Sequence, residues 1–98
     1  MDKYSLKFDN YAIKDIKKLK KHGQTVVKAF EKKVEQVLAS PLKHRTAFKG
    51  NYQESYFREK FAKKYRFIYF VFEEEKLVII VSVGLRDDVY DTFPRRNP

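Results

Sequence analysis

Cysteine is absent from the 98 residues. The chain therefore has neither a disulfide framework nor a thiolate metal site, and a reducing, cytoplasmic setting is expected. The N-terminus MDKYSLKFD lacks the apolar run of a secretory leader. The longest apolar stretches, 67–72 and 77–83, fall far short of the roughly 20 residues that span a bilayer, so no membrane association is expected. The two histidines, His22 and His44, are isolated from each other. Zinc-ligand spacing, a Ser/His/Asp set and a Gly-rich phosphate loop are all missing, and no metal or other cofactor is expected. Repeats and low-complexity segments are lacking too. A chain of this length is expected to form a single domain, residues 1–98, around one core of two packed layers.

What the sequence has in excess is positive charge. The net charge is +9, unevenly spread. Residues 1–40 carry ten lysines against five acids, and 41–66 carry eight Lys/Arg against two acids. Residues 67–83 are slightly acidic and 84–98 are balanced. The densest positive segment thus lies mid-chain, and a field of this kind favours a polyanion, nucleic acid first. A lysine-rich soluble surface is the plain alternative. Aromatic residues make up 16% of the chain, enough that some are expected at the surface, where they suit stacking on unpaired bases.

Residues 3–8 alternate polar and apolar, the pattern of a strand burying Tyr4, Leu6 and Phe8 on one face. Asp9 offers an N-cap, with Phe8 and Ile13 spaced as a hydrophobic staple. Ala12, Ile16 and Leu19 recur at helical spacing, lysines crowd the helix's C-terminal end, and Gly23 suits the C′ position. A second helix is expected at once, capped by Thr25, striped by Val27, Phe30, Val34, Val37 and Leu38, and stopped by Pro41. Three strands follow: 52–61, 65–73 and 76–83. The expected architecture is α+β: an N-terminal strand and helix hairpin packed on a mainly antiparallel four-stranded sheet.

Alternation along 52–61 turns Phe57 and Phe61 toward the helices and puts Arg58 and Lys60 on the open face with Tyr56. Arg66 opens an otherwise apolar strand, where an arginine is costly unless solvated or paired. Arg86 leaves the end of the adjacent strand and is placed to join them. Cations gathered in this way repel one another, which suggests an anionic ligand; a phosphate, gripped by arginine with two parallel bonds, is the obvious one. The same repulsion is expected to make Lys60 a better proton acceptor. Ordinary strand cations that discourage edge pairing are the competing reading. Asp87, Asp88 and Asp91 are expected to pair with Arg86 or neighbouring lysines, His22 to sit at a helix C-terminus, and His44 to be a solvated loop residue within reach of a backbone phosphate.

Three pieces in order, "SPLKHRTAFKGN", "YFREKFAKKYRFIYFVF" and "VSVGLRDDVYD", resemble the RelE/ParE superfamily of bacterial and archaeal toxins, over the stretch from Tyr4 to Tyr90. The last piece is similar to the ending shared by the RNA-cleaving RelE branch and its YoeB relatives. The resemblance implies the toxin of a type II toxin–antitoxin system. It implies a metal-independent, ribosome-dependent endoribonuclease that cuts mRNA in the A site by 2′-OH attack. The implied partners are a cognate antitoxin, the ribosome and mRNA, and operator DNA through the antitoxin alone. Residue by residue, it assigns Arg66 to the scissile phosphate and Arg86 to phosphate contact and the leaving group. Tyr90 is assigned to stacking on a base or orienting the 2′-OH. The general base is left between Lys60, Arg58 and Tyr90. RNA contacts fall to Arg58, Tyr56, Lys43, His44, Arg45 and Lys49. Two departures stand out: Glu59 separates Arg58 and Lys60, and Thr46-Ala47-Phe48 holds no glutamate where YoeB relatives have their base. A ParE-like inhibitor of DNA gyrase, and a degenerate member that only binds its antitoxin, are the alternative functions.

Overall fold

The computed structural model describes residues 4–39, 46–47 and 56–96. Strand β1 (Ser5–Phe8) leads into helix α1 (Asn10–Leu19), a 3-10 turn (Lys20–His22) and helix α2 (Gln24–Ala39). Then come the two-residue strand β2 (Thr46–Ala47), strands β3 (Tyr56–Phe61), β4 (Tyr65–Phe72) and β5 (Leu77–Leu85), and helix α3 (Arg86–Arg96). The sheet order is β1-β5-β4-β3-β2; β1 runs parallel to β5 and the other pairings are antiparallel. The expected α+β arrangement is therefore present, with four substantial strands and β2 added at the far edge.

Local chemistry accounts for most element boundaries. Asp9 Oδ1 accepts the Ala12 N–H at 2.8 Å, satisfying one of the unpaired amides of the first turn of α1. Gly23, at φ 104°, takes a conformation that side chains resist and lets α2 start without a loop. Two helix details differ from the sequence expectation. Helix α2 begins at Gln24, so Thr25 lies inside its first turn instead of capping it. Ile13, the expected staple residue, is 45% exposed, while Ala12 and Leu19 of the expected stripe are buried, with Asp15 between them.

The hairpin of α1 and α2 covers one face of the sheet. Phe30, Val34, Val37 and Leu38 pack there with Phe57, Phe61, Phe67, Tyr69, Val78, Ile80 and Val83. Phe67 and Tyr69 are fully buried. Phe57 and Phe61 do face the helices, as the alternation requires.

The opposite face is not left open. Helix α3 crosses part of it and buries Val89 and Phe93 against Ile68 and Val81. This segment carries few helical signals: two apolar anchors in 11 residues, with Pro94 inside it. A β-bulge between Ile68/Tyr69 and their partners inserts Val81 into β5. Val78 and Ile80 thus face the hairpin, Val81 faces α3, and beyond the bulge Val83 faces the hairpin again. The phase shift sets Gly84 directly across from Arg66 on the α3 side.

Candidate nucleic-acid cleavage groove

Lys60 and Arg66 are directly paired across β3 and β4, and Arg66 pairs with Gly84 across β4 and β5. Like charges placed opposite one another oppose strand pairing. Gly84 has no side chain to stand beside Arg66, so the floor there stays open. Where β5 ends, Arg86 begins α3, its N–H donating to the Lys64 carbonyl at 2.8 Å. Tyr90 follows one turn later, on the face of α3 that Arg86 shares.

These elements enclose a groove of about 370 Å³ lined by Arg58, Glu59, Lys60, Arg66, Arg86 and Tyr90, within the size range of small-ligand clefts. All four residues assigned to chemistry by the sequence, and Arg58 with them, therefore converge. Arg58 Nη1 donates to the Tyr90 hydroxyl at 2.9 Å, and the Arg86 guanidinium lies 4.9 Å from the centre of the Tyr90 ring. Tyr90 is thus held at two points, by its hydroxyl and by its ring face. It also packs against the small core under α3.

Arg66 Nη1 donates to the carbonyls of Lys63 (3.0 Å) and Tyr65 (2.8 Å). Both protons of that nitrogen are thereby engaged, leaving the Nε and Nη2 edge of the fork for a second planar partner. The turn it ties down is unusual. Ala62 and Lys63 both have positive φ, 47° and 64°, without being glycine. The guanidinium bond to Lys63 supports this strained turn while the turn fixes the guanidinium.

Among the described residues, Arg58, Lys60 and Arg66 meet no carboxylate. Arg86 pairs with Asp87 at 3.1 Å as expected, whereas Asp91 pairs with Arg95 at 3.1 Å in place of Arg86 or a lysine. Glu59 lines the groove yet sends its carboxylate to Lys33 of α2, 3.8 Å away. Tyr56 is not among the residues lining the groove and packs edge-on against Phe70 and Phe93, which supports α3. His22, in the 3-10 turn, lies 3.0 Å from the Tyr65 hydroxyl through Nδ1. Lys43, His44, Arg45, Lys49 and Pro41 lie outside the described residues, as does the part of the expected 52–61 strand before Tyr56. Among the described residues, no cluster of His, Asp and Glu could hold a metal ion, and no helix is long and apolar enough to cross a membrane.

Sequence reasoning missed a second charged arrangement. Asp15 is 8% exposed on the inner face of α1. It receives two parallel bonds from Arg96 at the end of α3, at 2.8 and 2.9 Å. Asp15 Oδ2 also accepts the Val83 N–H at 3.0 Å. The hydrogen bond to Asp15 raises the Arg96 pKa, against the opposing effect of burial. The signal was legible: an acid stands at position 15, between Ala12 and Leu19, on the stripe that must be buried.

The chain is similar to known proteins over nearly its whole length. A model of the ParE toxin of the parDE type II toxin–antitoxin system matches residues 6–90. The mRNA interferase toxin RelE of Escherichia coli (strain K12) is 34% identical over 95 residues, 95% of this chain and 96% of that protein. Among solved structures, a mutant E. coli toxin RelE in the free state superposes with a TM-score of 0.70 at 27% identity, covering 99% of this chain and 100% of that one. The intact E. coli RelBE toxin–antitoxin complex matches with a TM-score of 0.68 at 32% identity, over 84% of this chain and 95% of that one. Fold and sequence agree, and the chain belongs to the RelE/ParE superfamily of type II toxin–antitoxin toxins.

Proposed function

We propose that the protein is an mRNA interferase, the toxin of a type II pair, which cuts mRNA in the ribosomal A site of the cytoplasm and is restrained by a cognate antitoxin. The observation that carries this reading is the convergence of Arg58, Lys60, Arg66, Arg86 and Tyr90 on one groove, three of the cations meeting no carboxylate among the described residues. A relative that shares 34% of its residues is named an mRNA interferase, and a solved relative is held in a complex with its antitoxin. Operator DNA is reached through the antitoxin.

In the proposed reaction the ribose 2′-oxygen attacks the adjacent phosphorus while its proton passes to a base. The bond from phosphorus to the 5′-oxygen breaks, and that oxygen takes a proton. The products are a 2′,3′-cyclic phosphate and a 5′-hydroxyl end. The free edge of Arg66 holds the phosphate oxygens as charge builds on them. Arg86, at the mouth, contacts the same phosphate and the departing oxygen. Lys60, exposed and directly opposite Arg66, is the base once it has shed its proton. Arg58 has its guanidinium on the Tyr90 hydroxyl and serves as a holder of that ring more than as a base. Tyr90, whose hydroxyl accepts from Arg58, stacks on a base or orients the 2′-OH. Lys43, His44, Arg45 and Lys49 add charge that guides the RNA backbone.

The test is cleavage of mRNA on programmed ribosomes by the protein, by Arg86→Ala and by Tyr90→Ala. Cuts inside the A-site codon by the intact protein, lost in both variants, are expected. Absence of cuts by the intact protein overturns the reading. One observation favours a second reading, inhibition of DNA gyrase without RNA cleavage: the matching family model is that of the ParE toxin. Arrest of replication with translation intact, on induced expression, would select it.

A further inference from the structure

Burying a carboxylate is costly unless it is paired and fully hydrogen-bonded, so Asp15 calls for an explanation. Strand β1 ends at Phe8, which pairs with Ile80. Beyond Ile80 no strand among the described residues lies beside this edge of β5, and Asp15 takes the Val83 N–H in place of one. Arg96 then answers the charge with two parallel bonds, and its Nη1 also reaches Ser82 Oγ at 3.4 Å. Its guanidinium lies 4.6 Å from the centre of the Tyr11 ring. One cluster therefore joins α1, the far end of β5 and the last turn of α3.

Elsewhere, α3 is held at the groove by the hydrogen bond from Arg58 to the Tyr90 hydroxyl. Its start is tied by the Arg86 N–H to Lys64, and its middle by Val89 and Phe93. Apolar contacts are non-directional and leave a short helix free to slide and roll, whereas a bidentate ion pair fixes both distance and orientation. The residues so fixed include Arg86 and Tyr90, which α3 presents to the groove. We infer that the Asp15–Arg96 pair is a positioning device for the groove: it locks the far end of α3 so that Tyr90 and Arg86 stand where the RNA phosphate and ribose need them. The inference rests on the ribonuclease reading for its kinetic consequence, while its structural half stands independently.

The experiment uses the whole protein with its seven tyrosines replaced by 3-fluorotyrosine and followed by fluorine NMR. Tyr90→Phe assigns the groove resonance, and Tyr69→Phe assigns a fully buried reporter of the hairpin-side core. In Arg96→Ala the Tyr90 resonance should move or broaden while that of Tyr69 stays. In cleavage assays kcat should fall about tenfold or more, with KM within about twofold, as expected for misplaced groups that act in the transition state. Arg96→Lys should recover part of the rate. The pair Arg96→Ala with Asp15→Asn keeps an acceptor for Val83 without a buried charge. It should restore the thermal midpoint and leave kcat low, an outcome that a purely structural role would not give. An unmoved Tyr90 resonance in Arg96→Ala, or recovery of kcat together with the midpoint in the double variant, overturns the inference. Absence of cleavage by the unsubstituted protein sinks the ribonuclease reading instead, and the Tyr90 resonance alone then decides the positioning role.

Discussion

The two faces of the sheet differ in kind. The hairpin face is broad, dry and aromatic, with Phe30, Phe61 and Phe67 in mutual ring contact and Tyr69 against Phe67. The α3 face buries four residues, Ile68, Val81, Val89 and Phe93, and beside them leaves cations exposed along a groove. Apolar burial on the first face supplies most of the driving force for folding. The second spends part of that stability on like charges set side by side. Strands β3, β4 and β5 serve both, sending alternate residues to each, so chemistry and stability are interleaved along one backbone rather than assigned to separate segments.

That contrast can be broken from either side. The largest loss of stability is expected on the hairpin face. Phe67→Ala, at a fully buried site, should cost about 3–5 kcal/mol in chemical denaturation. Arg86→Ala lies on the other face and should do the reverse. It should lower cleavage by about 10²-fold or more while leaving the denaturation midpoint nearly unchanged, since the side chain is exposed. A large loss of stability there would dissolve the distinction between the faces. Asp9→Ala removes the cap of α1 and should cost about 1 kcal/mol by thermal unfolding, with cleavage at saturating substrate unaffected. The smallest effect is a gain. Ala62→Gly relieves a residue at φ 47° and should stabilise by roughly 0.5 kcal/mol, the relief of left-handed strain less the extra chain entropy of glycine. A loss of stability at that position would show that the turn is not strained.

The hairpin face was readable in the sequence because α1, α2 and β3 each have one apolar side and one polar side. Ala12, Leu19, Phe30, Val34, Phe57 and Phe61 recur at the period of their own helix or strand, and period is what a sequence displays. The groove was partly readable. Arg58 and Lys60 share a face by alternation, and Arg66 stands out at the head of an apolar strand. Glu59 reads as an interruption in sequence but points to Lys33 on the other face, which alternation alone could have indicated. Helix α3 was hidden: Val89 and Phe93 are its two buried residues, and the aspartates at its start and arginines at its end are the remaining helical signals. The bulge at Val81 was hidden as well, since β5 is apolar on both sides and shows no change of phase. The Asp15–Arg96 pair joins residues whose relation depends on the finished fold.

The tie between Asp15 and Arg96 spans 81 positions of sequence. Such a contact closes late, because loop closure over that distance must wait for the intervening chain to collapse. In synthesis from the N-terminus the helix hairpin and the first strands exist before α3 is made. Arg86 and Tyr90 are among the later residues to emerge, so the sheet is assembled while the groove still lacks two of its side chains. The groove is therefore completed only after the sheet that carries it.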